Sequence, residues 1–226
     1  MDVYEAVASR RAVRAFTDQP VSIEVLDRVL SAAQRAPSGA NLQPWINYLV
    51  TGVPLARLKK RIGKRVAEGD RGDEREYQMY PRELGSPYGE RRARSAEQRY
   101  TALGIDRADS QARNLAIARN WEAFGAPALL LCYLDAGLAQ AQWVDLGIYL
   151  QTVMLLLRAE GLSSCPQMAW SVYRRTVAAT VTPPPGLMLV CGVSIGHADQ
   201  TAPFAWTERA APEANLTWVG ATLHGQ

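Results

Sequence analysis

Three short segments of this 226-residue chain hold residues whose types and spacing could do chemistry. The first is Ser9-Arg10-Arg11-Ala12-Val13-Arg14-Ala15-Phe16. Three arginines within five residues repel one another unless an anion lies among them, and guanidinium forks match phosphate well. Alternate residues of an extended chain share a face, so Arg10, Ala12 and Arg14 can line one wall while Val13 packs inward. The second segment, Ala36-Pro37-Ser38-Gly39-Ala40-Asn41-Leu42-Gln43-Pro44-Trp45, combines prolines, a glycine and small polar side chains. It reads as a stiff loop with exposed backbone N–H groups, a surface on which a planar ligand could lie. The third, Gly192 to Asp199 (GVSIGHAD), leaves a strand on small residues that admit a ligand, with Arg209 behind it as a remote cation.

What the chain lacks narrows the chemistry. Its two histidines are His197, read as a turn residue, and His224 near the end, too few for a His-based metal site or triad. Cys132, Cys165 and Cys191 are odd in number and far apart in sequence. They fit neither a disulfide framework nor a CxxC metal site and suit a reducing cytoplasm. Cys165 reads as a small packing residue, and Trp45 and Trp121 as core. No GxGxxG follows a strand, so a nicotinamide is not held in a Rossmann site. Whatever chemistry occurs is expected to be supplied by something other than side chains.

The elements that must position these segments follow from periodicity. Asp2 caps a short helix with Val3, Ala6 and Val7 on one face. Ser22 caps a second, whose Val25, Leu26, Val29, Leu30 and Ala33 form a stripe ending before Pro37. Residues 45–51 (WINYLVT) predict a strand stopped by Gly52 and Pro54, and a basic helix runs over 55–67. From 68 to 106 the pattern dissolves into Gly, Pro and Tyr among charges, a mobile excursion or a pair of short helices. One of Tyr77, Tyr80 and Tyr88 is a candidate for lining a pocket there. Helical character returns over 109–124. Residues 127–134 (PALLLCYL) and 187–195 (LMLVCGVSI) read as strands buried on both faces. Between them lies the longest helix, 138–160, apolar almost all round and stopped by Gly161, which must be covered by its own core or by another subunit. A short helix is expected over 171–179, and an extended arm rich in Trp and Pro from about 200. Interleaved helices and strands make the class α/β or α+β around a central sheet.

With 48% apolar and 21% charged residues the chain has material for one sizeable core, so 1–226 is expected to be a single domain. Residues 57–119 carry 16 Lys/Arg against 10 Asp/Glu. That stretch lacks both the aromatic pattern of an RNA platform and helix–turn–helix spacing, so no nucleic-acid partner is expected. The longest apolar run, 146–157, is too short to span a bilayer. The opening MDVYEAVASRR has acids where a secretion signal needs bases, so a cytoplasmic location is expected.

In this order and spacing, SRRAVRAF, APSGANLQPW and GVSIGHAD closely resemble the FMN-dependent nitroreductase family, over the N-terminal fifty residues and 126–210. The resemblance implies an α+β, three-layer fold with a mostly antiparallel central sheet flanked by helices. It implies an intertwined homodimer with FMN at the interface. NADH or NADPH would reduce the flavin, which would reduce nitroaromatics, quinones or similar small-molecule acceptors by a ping-pong route. Carried over residue by residue, Arg10 and Arg209 would hold the FMN phosphate, with Arg11 and Ala12 beside them. Arg14 would sit by N1 and O2 of the flavin and tune it. Pro37, Ser38, Gly39 and Asn41 would pack on the flavin from the other subunit, and Pro166, Gln167 and Met168 would offer backbone contacts to its edge. Ala12 stands where many relatives have Ser, and Thr207 where some have a base. Neighbouring possibilities on the fold are a reductive dehalogenase, an oxygen-using flavin enzyme, or a non-catalytic flavin-binding dimer.

Overall fold

The computed structural model describes residues 1–220; His224 lies outside them. In chain order the elements are α1 (Val3–Ser9), α2 (Ile23–Ala33), β1 (Ile46–Thr51), α3 (Gly52–Ala67), α4 (Tyr88–Ala102), α5 (Ser110–Ala118), β2 (Ala128–Asp135), α6 (Gln140–Ala159), β3 (Ser163–Gln167), α7 (Arg174–Val181) and β4 (Leu187–Gly196). The four strands form one antiparallel sheet in the order β1-β2-β4-β3. Helices cover both faces, which makes the chain a three-layer α+β fold.

The continuous apolar run of β2 explains the layering. Leu130, Cys132 and Leu134 face one core with Leu26 and Val29 of α2 and Tyr149, Val153 and Leu157 of α6. Leu129, Leu131 and Tyr133 face the other with Leu55, Leu58 and Ile62 of α3 and Val177 of α7. A strand buried on both faces has no use for polar alternation. Cys132 and Cys191, remote in sequence, are register partners across β2 and β4. Both are buried free thiols, and hydrogen bonding between them and burial push Cys132 well above the usual thiol range.

Local signals set the helix ends. Asp2 and Glu5 form a reciprocal capping box on α1, Ser22 Oγ accepts from Val25 N, and Gly161 at φ +74° ends α6. Strand β3 was not anticipated. Its sequence, SSCPQ, has no apolar alternation, and Pro166 is tolerated because β3 is an edge. The helix expected over 171–179 instead starts at Arg174, after a 3-10 turn over Met168–Tyr173.

The 68–106 stretch is neither a loose excursion nor two short helices. Its first part is tied down by polar contacts: Asp73 N donates to Val172 O at 2.7 Å, and the Tyr173 hydroxyl donates to Asp70 O at 2.7 Å. Arg65 bridges Asp70 and Asp73 at 2.7 and 2.9 Å. Gly72 has φ +97°, and a Cβ there would meet Val172 Cγ1 at 2.3 Å and Val172 O at 2.6 Å, so only glycine lets the backbones approach. Where Val190 interrupts the β2–β4 register, its carbonyl accepts from the Tyr77 hydroxyl. Having been anchored, the chain turns into the single 15-residue helix α4, none of whose residues is buried. No helix among the described residues is long and apolar enough to cross a membrane.

Candidate active site

The N-terminal arginine segment leaves α1 in extended conformation at Arg10 and runs along the free edge of β3. Val13 N donates to Ser164 O at 3.0 Å, and Ala12 makes a parallel bridge with Ser164. Farther on, Phe16 N donates to Phe124 O at 3.1 Å, Thr17 N to His197 O at 2.9 Å, and Asp199 N to Ala15 O at 3.0 Å. Val13 and Phe16 are buried anchors. Segment 10–17 is thus stitched to β3, to the turn over 119–125 and to the end of β4.

Beside it opens a cavity of about 630 Å³, within the range of small-molecule and cofactor sites. Arg11, Ala12 and Arg14 line it, as do Pro166, Gln167 and Met168. Arg10 and Arg209 do not. The strand alternation expected of Arg10, Ala12 and Arg14 fails because only Ala12 bridges β3, so the segment is not a regular strand. Arg11 faces the cavity instead, its guanidinium 3.6 Å from the Phe204 ring centroid and 5.6 Å from that of Trp206. Those contacts fold the arm, Thr207 included, against the cavity. Arg209 donates only to carbonyls of its own arm, Thr207 O at 2.7 Å and Glu208 O at 3.2 Å.

Loop 37–43 lies apart from this cavity, against α6. Gly39 N donates to Asp145 Oδ1 at 3.0 Å, Gln43 N to Ser38 Oγ at 2.9 Å, and Asn41 N to Ser38 O at 3.0 Å. Ala40, Asn41 and Gln43 are held at positive φ, a conformation that persists only because these bonds over-determine it. Pro37, Gly39 and Asn41 remain exposed.

The floor is rigid. Gln167, 3% exposed, accepts from the Ser194 hydroxyl and from Trp170 Nε1 at 3.2 Å. Its Nε2 donates to Asn120 O and Oδ1 at 2.7 and 3.2 Å. The carboxamide is therefore fully used inside the protein, where it fixes Asn120, a cavity residue, to the sheet. Below lies Cys165, whose thiol burial pushes up to about 11 against the opposing pull of Arg14 and Arg99. It stays protonated and packs. Trp121, expected in the core, is half-buried in the cavity wall, donating Nε1–H to Ala169 O at 2.9 Å.

Sequence reasoning missed the opposite wall, which α4 supplies. Arg92, Ser95, Ala96, Arg99 and Leu103 all line the cavity, at i, i+3, i+4, i+7 and i+11. That spacing, one face of small residues between arginines, was the available signal. Of the three tyrosines considered, Tyr80 lines the cavity. In all, six arginines (11, 14, 75, 92, 99 and 119) and one acid, Asp199, line it. The Asp199 carboxylate accepts from Thr201 N and Oγ1 at 2.9 and 2.6 Å, which holds it below the usual carboxylate range. The six arginines make no ion pair among the described residues. Among those residues no group of acids, cysteines and histidines could hold a metal ion.

A strongly cationic cavity of cofactor size on a sheet edge suits an anionic ligand, and comparison with known sequences and structures narrows the class. The model of the nitroreductase family matches residues 7–197, and the chain belongs to that family. It is 35% identical over 201 residues to a 4-nitrobenzoate reductase of Pseudomonas putida, covering 89% of this chain and 87% of that one. Among solved structures it is similar to an FMN and NADPH-dependent nitroreductase NfnB from Sphigopyxis sp. strain HMH. That match has TM-score 0.94 and 40% identity and covers 98% of this chain and 100% of the other. An FMN-dependent nitroreductase NfnB from Mycobacterium smegmatis, solved in complex with NADPH, matches with TM-score 0.91 and 31% identity over 96% and 97% of the two chains.

Proposed function

We propose that this chain is an FMN-dependent oxidoreductase that takes hydride from NADH or NADPH and reduces nitroaromatics, quinones or similar acceptors by a ping-pong mechanism. The observation that carries the reading is the cavity beside β3: six guanidiniums without acid partners, in a chain that aligns over nearly its whole length with FMN-dependent nitroreductases. The residues fit that cofactor. FMN brings a phosphate dianion and a ring whose N1–O2 edge turns negative on reduction, and a cationic lining suits both charges.

When bound, FMN supplies the hydride chemistry, accepting two electrons from the nicotinamide and returning them to the acceptor. The chain's own residues bind and tune. Arg14 would stabilise negative charge at the pyrimidine edge, with Arg11 and Ala12 on the same wall. The backbone of Pro166, Gln167 and Met168 would meet the ring edge, held rigid by the Gln167 network. Arg10 and Arg209 would hold the phosphate. Pro37, Ser38, Gly39 and Asn41 would serve the site of a second subunit, consistent with the loop's place away from this chain's own cavity and the exposure of Pro37, Gly39 and Asn41.

A homodimer accounts for further features. Val144 and Ile148 of α6 are 63% and 38% exposed, and Leu42 of the 37–43 loop is 54% exposed. Exposed apolar residues on adjoining elements need cover, and a second copy provides it. The protein acts in the cytoplasm as such a dimer, in keeping with its three free cysteines. Stripping the flavin and adding back FMN tests the function: nitroaromatic-dependent NADPH oxidation should vanish and return. Activity that survives complete flavin removal would sink the proposal.

A further inference from the structure

Helix α4 turns one face to the cavity yet buries nothing, so closing a core is not its purpose. What it brings is charge. The Arg99 guanidinium lies 4.7 Å from the Tyr100 ring centroid and donates to the Tyr100 hydroxyl at 2.9 Å. Arg113 approaches the same ring to 4.9 Å, and Arg92 lies 4.6 Å from the ring of Tyr80. Arg75 and Arg119 line the same cavity.

Two observations show that the cluster lacks a partner. None of Arg75, Arg92, Arg99, Arg113 and Arg119 makes an ion pair among the described residues, although Arg94 on the same helix reaches Glu208 at 3.9 Å. The Arg99 Nε–H is also shielded from solvent with no acceptor. Like charges converging around an unsatisfied buried donor are costly unless an anion joins them.

The position says which anion. Arg92, Arg99 and Arg119 line the same cavity as Pro166, Gln167 and Met168, the segment placed above against the edge of the flavin ring, so the cluster shares the space in which the reacting rings would stack. A substituent on a ring lying there reaches α4 directly. The flavin's own phosphate is assigned above to Arg10 and Arg209, and the phosphates of a nicotinamide dinucleotide lie far from its reacting carbon.

Resting on the flavin-reductase reading above, we propose that Arg92, Arg99 and Arg119 bind the anionic substituent of the electron acceptor, making carboxylate-bearing nitroaromatics the preferred class over neutral ones. The guanidinium fork accepts a carboxylate in bidentate fashion, and the neighbouring Tyr80 and Tyr100 rings keep the arginines oriented. Attraction through a cavity with so little negative charge also speeds capture of an anionic acceptor at low salt.

The test uses flavin-loaded enzyme with saturating NADPH, comparing 4-nitrobenzoate with its neutral isostere 4-nitrobenzamide. The wild type should favour the anion by about tenfold or more in kcat/KM, mostly through KM, and less so as salt rises. Arg99→Met and, independently, Arg92→Gln should bring the anion-to-neutral ratio towards one. Because both acceptors are measured on one preparation, a general loss of activity cancels, and the exposed Arg92 serves if Arg99→Met fails to fold. Equal kcat/KM for the two acceptors in the wild type would overturn this inference alone. So would a ratio that neither folded variant changes, or a change confined to NADPH against NADH. Failure to reduce either acceptor would overturn the flavin-reductase reading and this inference with it.

Discussion

Replacing Gln167 by Leu is the sharpest structural test of how the floor of the site is built. The side chains are similar in volume, so the loss is of hydrogen bonds, not packing. Four bonds go, but they are not equivalent. Asn120 lines the cavity, and its freed groups can turn to water there. Ser194 and Trp170 are both 0% exposed, and their hydroxyl and indole N–H lose their acceptor with no water to replace it. An unsatisfied buried polar group costs about 1–3 kcal/mol, so leaving two should destabilise by about 2–6 kcal/mol. In a chain of this size each kcal/mol shifts Tm by about 2–4 °C, giving a drop of roughly 4–24 °C. The assay is thermal unfolding of flavin-free protein, which removes linkage to cofactor binding. Asn120→Ala, which leaves the Ser194 and Trp170 bonds intact, should fall by less. A Gln167→Leu drop under about 2 °C, or one no larger than that of Asn120→Ala, would refute the reasoning.

Other outcomes follow from the same geometry. Gly72→Ala places a Cβ against the Val172 backbone at positive φ, and should detach the 70–77 anchor at a cost of about 2–4 kcal/mol, seen as faster limited proteolysis there. Burial raises the Asp73 carboxyl, but Arg65 and the Arg175 N–H more than offset this and hold it below its ordinary value. Its stabilisation is therefore complete above about pH 4 and is lost as pH falls through the lower folded value, so protection of 70–77 from hydrogen exchange should fail on acidification. Asp73→Asn should weaken that acid dependence, leaving the part owed to Asp70, whose carboxyl Arg65 also holds below its ordinary value. Arg14→Ala should lower the bound-flavin midpoint by about 20–45 mV in a dye-equilibrated titration, the equivalent of about 1–2 kcal/mol of lost anion stabilisation. Coincident midpoints would place Arg14 away from the flavin N1 edge.

Elements governed by local chemistry were legible in the sequence. The two strands buried on both faces, the stripe of α2 and the Gly161 stop of α6 follow from residue type and spacing alone. Strand β3 was not, because SSCPQ carries no periodicity and is a strand only by pairing with β4. The course of 68–106 was hidden for a related reason. Gly72, Asp73 and Tyr77 are fixed by partners about a hundred residues away, which no local window contains. Of the residues that line the cavity, Arg14 belongs to a contiguous motif, and Pro166, Gln167 and Met168 were reached only through the family resemblance. The α4 arginines were not singled out, since a charge run looks the same whether it faces water or a cavity. Asp145, which holds Gly39, was passed over as one polar residue in an apolar helix.

The central claim, that the chain works by carrying electrons through bound FMN, is tested most directly by anaerobic titration of the purified holoenzyme. One equivalent of NADPH or NADH per flavin should bleach its visible absorbance, and a nitroaromatic acceptor should then restore it without oxygen. A flavin that neither nucleotide bleaches, or a reduced flavin that no nitroaromatic reoxidises, would contradict the account.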